Sequence, residues 1–173
     1  MKETARLIVT YDCDRNCPGC CNKSGSVNAR EIYSVNALGG HKEVVITGGE
    51  PFLYPRKLLK FIKQLKKANR NCKVYIYTAC LHLEDYDKIL NLVDGITVTL
   101  HAEATDEDIR SLKYMSEHLW GEMIDMRLFI DTRVYDRYDL RNIRLQTWDV
   151  VRKLEWKEDC KPADNEEMLY LQI

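Results

Sequence analysis

The sequence contains no long apolar run, no strong excess of charge of one sign and no internal repeat or low-complexity segment. No stretch approaches the ~18–20 apolar residues needed to span a bilayer, which argues against a membrane protein. The first residues, Met1 to Thr4, lack the apolar core of a secretory signal, so we expect a cytoplasmic protein. A formal net charge of −1 argues against a general nucleic-acid or anionic-membrane surface.

The chain also lacks any linker-like segment, and its 173 residues are predicted to form a single domain over residues 1–173. A hydrophobic content of 45% beside a charged content of 31% is typical of a globular protein. Seven cysteines without an export signal indicate a reducing compartment. They point to metal or redox chemistry and not to a disulfide framework.

Three of the cysteines lie in one short segment after a β-rich apolar stretch. Cys13, Cys17 and Cys20 form a CxxxCxxC run, and Pro18 and Gly19 supply the bend of a loop. Soft thiolate ligands select zinc, copper(I) or an iron–sulfur cluster. No fourth cysteine or histidine follows at the spacing of a structural zinc finger. The run fits a [4Fe-4S] cluster with one open iron; a structural three-cysteine cluster or scattered reduced thiols are the plainer alternatives.

A second motif follows a second predicted strand. The segment Val44 to Thr47 leads into the turn Gly48-Gly49-Glu50-Pro51. CxxxCxxC after one strand and GGEP after the next resembles the radical S-adenosylmethionine (radical SAM) superfamily.

The resemblance implies two cofactors. It implies a [4Fe-4S] cluster held by Cys13, Cys17 and Cys20, with S-adenosylmethionine (AdoMet) chelating the open iron. It also implies that the turn of Gly48, Gly49, Glu50 and Pro51 helps to bind the methionine end of AdoMet. Gly19 departs from the superfamily, in which an aromatic residue usually precedes the third cysteine.

The resemblance further implies an enzyme. In the superfamily a reduced cluster gives one electron to the AdoMet sulfonium, and the resulting 5′-deoxyadenosyl radical removes a hydrogen atom from a substrate. An electron donor such as flavodoxin or ferredoxin is therefore an expected partner. The substrate is either a protein or a small molecule, as in modified-base biosynthesis. A non-catalytic iron–sulfur binding or regulatory protein is a different class, which the intact GGEP turn disfavours.

The cluster loop is also similar to that of the activase of anaerobic ribonucleotide reductase, over the stretch Cys17 to Ser24 (CPGCCNKS). This resemblance implies a glycyl radical activase that acts on a partner protein, and it accounts for Gly19. The glycine-rich segment that precedes the loop in that activase is missing here. Because few residues follow the sixth predicted strand, we expect the site to be closed by a partner protein, by a second copy of the chain, or by residues Leu145 to Ile173.

Beyond the motifs, predicted strands and helices alternate along the chain. Strands are predicted at residues 5–11, 43–47, 73–78, 96–101 and 126–131, with a sixth between 143 and 156 and an edge strand at 168–173. Helices are predicted from Asn28 to Leu38, around the apolar stripe Leu58 to Leu65, at 84–93 and from Thr105 onward. Strands separated by helices predict parallel βα units. We therefore expect an α/β fold, a partial open (β/α)6-type barrel with mostly parallel strands.

In such barrels the loops after the strands build the active site. That rule selects Thr78, Cys80, Thr99, His101, Asp131, Thr132 and Arg133. Thr99 and His101 alternate along one strand and so face the same side; the resemblance places them, with Thr78, at AdoMet. The plainer alternatives are a strand-end histidine for His101, a surface ion pair for Arg133 and a small core residue for Cys80.

The remaining cysteines, Cys21, Cys72, Cys80 and Cys160, are too dispersed for a second cluster, so one cluster is expected. The helix around Leu58 to Leu65 carries many lysine and arginine residues. These charges fit either an RNA-binding face or a solvated outer face, and the lack of interleaved aromatic residues favours the solvated face.

Overall fold

The computed structural model describes residues 2–25, 27–82, 86–118, 124–155 and 161–173. In these ranges the chain forms an eight-stranded sheet: β1 Thr4–Ile8, β2 Arg30–Glu31, β3 Glu43–Thr47, β4 Lys73–Thr78, β5 Gly95–Leu100, β6 Asp125–Asp131, β7 Val150–Leu154 and β8 Glu166–Tyr170. Its order is β2-β8-β1-β3-β4-β5-β6-β7, and every neighbouring pair is parallel. The sheet is open, with β2 and β7 at its edges, so the predicted α/β class and partial barrel are confirmed.

Helices connect the strands: α1 Cys21–Ser24, α2 Pro55–Ala68, α3 Asp87–Leu90, α4 Asp106–His118 and α5 Thr132–Tyr135. Short 3-10 helices lie at Val35–Leu38, Pro51–Leu53 and Leu145–Thr147. The predicted stripe of α2, from Leu58 to Leu65, is buried against the sheet, and each such side chain stabilises the fold by about 1.5–3 kcal/mol. Within the described ranges, no helix combines the length and the apolar character needed to cross a membrane.

The two faces of the sheet have different partners because successive strand residues point to opposite sides. Leu7, Ile46, Ile76, Val98 and Leu128 belong to the buried core that includes the apolar face of α2. Their neighbours along the strands line a cavity on the other face: Ile8, Thr47, Tyr77, Thr99 and Phe129. The fold thus uses one face of the sheet for stability and leaves the other for a ligand.

The helix predicted from Asn28 to Leu38 is wrong. Arg30 and Glu31 instead form β2, opposite Leu169 and Tyr170 of β8, and only the 3-10 turn Val35–Leu38 is helical. The apolar spacing and the capping pattern suggested a helix, but strand pairing with a segment more than 130 residues later prevails over local preference. The predicted end of this segment at Gly39 is correct, since the amide of Gly39 donates to the carbonyl of Asn36.

The prediction that the C-terminal strand lies at the edge of the sheet is wrong. Strand β8 begins two residues before the predicted start and pairs with β1 on one side and β2 on the other. The first strand, β1, ends at Ile8 and not at Tyr11. The helix predicted at 84–93 is reduced to the single turn α3, with residues 83–85 outside the described ranges. Strand β7 lies within the predicted 143–156 interval, whose last residue, Trp156, also falls outside them.

Candidate functional site

A cavity of about 580 Å³ opens on the inner face of the sheet, where the loops after several strands meet. Its wall brings together most of the predicted site residues: Cys13, Cys17, Cys20, Gly48, Gly49, Glu50, Thr78, Thr99 and His101. Pro51 lies buried behind the turn and does not line this wall. The motifs and the strand-end rule thus select residues that share this wall, although the rule also selects residues that lie elsewhere.

The three motif cysteines sit at one side of the cavity as free thiols. Cys13 is exposed, and Cys17 and Cys20 are partly buried. Among the described residues, no group of three His, Cys, Asp or Glu side chains converges on a point suited to a single metal ion. A [4Fe-4S] cluster does not need such convergence, because each cysteine binds a different iron. Three soft donors spread around the rim of a cavity therefore fit a cluster of this kind.

The residues after the third cysteine brace the cluster loop. The Asn22 amide Nδ2 donates to the carbonyl of Gly48 at 2.6 Å, which ties α1 to the Gly-Gly-Glu-Pro turn. Lys23 Nζ donates to the carbonyl of Arg15 at 3.3 Å and to Asn16 Oδ1 at 2.5 Å, across the loop. Through these contacts Asn22 and Lys23 of the activase-like stretch stabilise the cluster loop. Cys21, next to the third motif cysteine, is disulfide-bonded and so is not a free ligand.

The Gly-Gly-Glu-Pro turn is fixed against the segment that leads into the cluster loop. The amide of Gly49 donates to the carbonyl of Thr10 at 2.7 Å, and that of Glu50 to the carbonyl of Asp12 at 2.8 Å. A Cβ at Gly49 would lie 1.9 Å from the Asp12 oxygen. Gly48 has a φ of 130°, a conformation that side chains other than glycine rarely adopt. Both glycines are therefore required by the close approach of two backbone segments.

Glu50 is held in one orientation by three donors. Its Oε1 accepts from the amide of Phe52 at 3.0 Å and from Thr78 Oγ1 at 2.7 Å, and its Oε2 accepts from the amide of Ala79 at 3.0 Å. Burial raises the pKa of Glu50, and the three donors partly offset that rise. A carboxylate has about four lone-pair positions, so one position stays open for a further donor such as an ammonium group.

Thr99 and His101 line the cavity together, on the side predicted from the strand alternation. Burial lowers the pKa of His101, so the imidazole is neutral near pH 7. A neutral imidazole adds no positive charge to the cavity.

Other strand-end residues lie outside this cavity wall. Arg133 donates to both oxygens of Asp131, at 2.9 and 2.7 Å, which is the ion pair weighed as the plainer alternative. Cys80 also lies off the wall, and burial raises the pKa of its thiol to about 11. Neither side chain is placed to touch a ligand of the cavity.

Three charged residues at the cluster loop were missed by the sequence analysis. Arg15 NH2 lies 2.5 Å from Asp108 Oδ1 and its NH1 lies 3.6 Å from Glu103 Oε1. Cys17 Sγ donates to the same Glu103 oxygen at 3.1 Å, and burial together with this carboxylate raises the pKa of the Cys17 thiol. Iron binding must therefore displace a proton that is firmly held in the free chain. Glu103 follows β5 by three residues, so a wider strand-end rule would have included it.

The floor of the cavity carries a further cation. Arg6 of β1 pairs with Glu166 at 2.8 Å, and its guanidinium carbon lies 5.7 Å from the centre of the Tyr77 ring. Its Nε is buried and has no partner among the described residues. Met168, opposite Arg6 in the neighbouring strand β8, also lines the cavity, as does Phe129 of β6. The floor thus offers one unused donor between apolar surfaces.

Comparison with known proteins adds two findings. Residues 4–117 match the family described as 4Fe-4S single cluster domain. The fold matches the crystal structure of BtrN in complex with AdoMet and 2-DOIA, with a TM-score of 0.51, 18% sequence identity, and coverage of 88% of this chain and 57% of that one. The chain thus spans little more than half the length of BtrN, and at this identity the likeness shows the fold alone. No curated protein matched the sequence.

The family match covers about two thirds of the chain, including the three motif cysteines and the Gly-Gly-Glu-Pro turn. It confirms the resemblance to the radical SAM superfamily and the expected [4Fe-4S] cofactor. The chain belongs to the 4Fe-4S single cluster domain family, a family of radical SAM-type enzymes.

Proposed function

We propose that the protein uses a [4Fe-4S] cluster to cleave AdoMet reductively and to abstract a hydrogen atom from a substrate. The observation that carries this proposal is the single cavity that joins two predicted sites. Its wall contains both the three free cysteines and the fixed Gly-Gly-Glu turn. A crystal structure that shares the fold is that of BtrN in complex with AdoMet and 2-DOIA.

Each part of the wall has a role in this proposal. Cys13, Cys17 and Cys20 would hold the cluster, and the open acceptor position of Glu50 would receive the AdoMet amino group. When bound, the two cofactors supply methionine and a 5′-deoxyadenosyl radical, which takes the hydrogen atom. His101, neutral because of its burial, would bind the ribose or carboxylate without adding charge. Apolar wall residues would exclude water from the reacting atoms.

Anaerobic reconstitution followed by an assay for 5′-deoxyadenosine tests the proposal. We expect the reconstituted protein, with AdoMet and dithionite, to release 5′-deoxyadenosine and methionine. Cys17→Ala, prepared in the same way, serves as the matched control and should release neither. A protein that holds a full cluster and binds AdoMet but never forms 5′-deoxyadenosine would be an iron–sulfur binding protein without turnover.

For the substrate, we infer a partner protein that presents a hydrogen-bearing carbon, such as a glycine Cα. The support is the similarity of the Cys17 to Ser24 stretch to a glycyl radical activase loop. This inference predicts slow, uncoupled AdoMet cleavage by the isolated chain. Addition of the cognate protein should make 5′-deoxyadenosine formation equal the yield of protein radical, measured by electron paramagnetic resonance (EPR).

A small polar molecule is the second candidate substrate, and the cavity floor favours it. The buried, unpartnered Nε of Arg6 would donate to an oxygen of a molecule lying between Tyr77 and Phe129. Efficient and tightly coupled turnover of a small metabolite by the purified chain alone would establish this candidate and exclude the protein substrate.

A further inference from the structure

A second concavity lies on the outer side of the molecule, away from the cavity that holds the motif residues. This groove, of about 800 Å³, runs between α2 and residues 33–36 and is bounded at one end by Leu171 to Ile173. It lies where the connection from β1 to β3 forms β2 and a 3-10 turn in place of the predicted helix. Because no full helix packs there, the side of α2 remains open.

The groove combines an apolar floor with a basic rim. Val35, Phe61 and Leu171 contribute apolar surface, and Lys57, Lys60 and Lys67 contribute ammonium groups. Among the described residues no aspartate or glutamate lines it, and α2 itself contains no acidic residue.

The lysines of α2 differ in their partners. Lys66, on another side of the helix, is paired with Asp94 at 2.6 Å. In the described part of the chain, Lys60 and Lys67 have no such carboxylate partner, and both are exposed. The charges of Lys60 and Lys67 therefore remain available to an acidic surface on a partner. Such a surface would surround an apolar contact at the centre of the groove.

One end of the groove lies next to the cluster loop. Lys57 Nζ is 5.0 Å from the centre of the Tyr54 ring, and Tyr54 Oη donates to Asp12 Oδ2 at 2.6 Å. Asp12 directly precedes Cys13, which is the exposed member of the three cysteines. Two side chains thus connect the basic rim with the first cluster ligand.

We propose that this groove docks an acidic one-electron donor protein that reduces the cluster. The inference rests on the proposed function, in which each AdoMet cleavage needs one electron from outside the chain. In the docked pair the donor is oxidised by one electron and the cluster is reduced by one. A donor needs only to approach the cluster, whereas a substrate must enter the inner cavity. Docking on the outer face leaves the cavity mouth free.

The groove suits a protein better than a nucleic acid. Its floor is apolar, and Tyr33 is the one aromatic ring among its wall residues that is strongly exposed, so successive bases would find no series of stacking partners. The whole chain carries a net charge of −1, so the groove is a local basic region of a chain that is close to neutral overall. Localised positive charge of this kind selects a partner by steering.

The test measures the rate at which purified flavodoxin hydroquinone reduces the oxidised cluster of the reconstituted protein. The test variant is Lys60→Glu/Lys67→Glu. The control is Lys113→Glu/Arg144→Glu, which makes the same change of charge at two exposed positions, one in α4 and one directly before the 3-10 turn Leu145–Thr147. At low salt we expect the test variant to slow this reaction at least about tenfold, and the control to stay within about twofold of the parent. Added salt should slow the parent and remove the difference.

Dithionite reduction separates the two levels of the proposal. We expect dithionite to reduce the cluster equally in the parent and in both variants, because a small reductant needs no docking surface. Equal flavodoxin rates in the test variant and the control would overturn the docking site. Loss of an RNA complex or of a homodimer in the test variant, with no change in flavodoxin rate, would overturn the donor assignment. If the parent cluster is never reduced by dithionite, the proposed function itself fails.

Discussion

The two motifs that meet in the cavity are built in opposite ways. The Gly-Gly-Glu-Pro turn is buried, and Glu50 is only 4% exposed with three donors on its carboxylate. The cluster loop is more open: Cys13 is exposed, and its thiol shares the rim of the cavity with two partly buried ones. The chain itself fixes the geometry of the turn, whereas the geometry of the cysteine ligands is set only when the metal binds.

This difference indicates how the two sites depend on their ligands. The turn is held by backbone bonds from Gly49 and Glu50 to the preceding loop, so it should keep its shape in the free chain. The pKa of the Cys17 thiol is raised, because its partial burial and the neighbouring Glu103 carboxylate disfavour the thiolate. Binding of iron must therefore supply the free energy that deprotonates Cys17. We expect substitutions in the loop to act on the metal and substitutions in the turn to act on the fold or on AdoMet.

The largest effect is expected for the cysteines. Cys13→Ala, Cys17→Ala or Cys20→Ala should each abolish the [4Fe-4S] absorption and EPR signals, because a cluster with two protein ligands is lost. Parent protein should contain about four irons per chain after anaerobic reconstitution. Cys80→Ala, which lies off the cavity wall, is the matched control and should keep the cluster. Cys21→Ala and Cys160→Ala should keep it as well; Cys160 lies outside the described ranges.

Gly49→Ala should damage the turn before it affects the metal. Its Cβ would lie 1.9 Å from the carbonyl oxygen of Asp12, and backbone cannot move aside as a flexible side chain can. We expect the free energy of unfolding, measured with urea on the apoprotein, to fall by about 3 kcal/mol. Gly25→Ala is the matched control: it has φ +67° but open space around it, so the loss should be about 1 kcal/mol. Equal losses would show that the close approach at Gly49 is not tight.

Glu50→Ala should weaken AdoMet binding while leaving the cluster in place. Loss of one charge-assisted hydrogen bond is worth roughly 1.5–3 kcal/mol, or about ten- to a hundredfold in the dissociation constant. Glu50→Gln keeps the side-chain volume and removes the charge. It therefore separates the effect of the lost charge on AdoMet binding from the effect of the empty space that alanine leaves. Equilibrium binding to the reconstituted variants measures both. A parent-like dissociation constant in both variants would reduce the turn to a structural connection.

The smallest effect is expected at the ion pair that ties the cluster loop to α4. Arg15→Gln removes the ion pair with Asp108. The side chain of Arg15 is 19% exposed and that of Asp108 is 13% exposed. A pair of this kind is worth about 1 kcal/mol, so the rate of cluster loss in air should rise about two- to fivefold. Arg141→Gln removes a far more exposed arginine–aspartate pair and should leave the rate unchanged. A rate for Arg15→Gln equal to that control would mean that the pair with Asp108 does not help to hold the loop.

Much of this arrangement could be predicted from local sequence. The bounds of β3 and β4 match the predicted strands, and the buried stripe of α2 lies where its spacing placed it. Thr99 and His101 share the cavity wall because alternation along one strand is a local property. The Gly-Gly-Glu-Pro motif identified Gly48 and Gly49. Their close packing against the preceding loop is the physical reason that both positions are glycine.

The errors involve partners that are distant in sequence. Arg30 and Glu31 form a strand because they pair with β8, which local spacing does not reveal. The pair of Arg15 with Asp108 joins residues 93 positions apart, and the CxxxCxxC motif does not specify the residue type at position 15. The donors around Glu50 come from two different loops, so their convergence depends on the assembled sheet. These features are set by tertiary packing, and sequence periodicity does not contain them.

The central claim is that cluster and AdoMet occupy adjacent parts of one cavity. EPR of the reduced cluster, recorded with and without AdoMet, tests it most directly, because a ligand on the open iron changes the signal of the cluster. We predict a clear change of the parent signal on addition of AdoMet and a weaker change, at the same AdoMet concentration, for Glu50→Ala. A reduced [4Fe-4S] signal that stays the same while AdoMet is shown to bind would place the two sites apart and contradict the account.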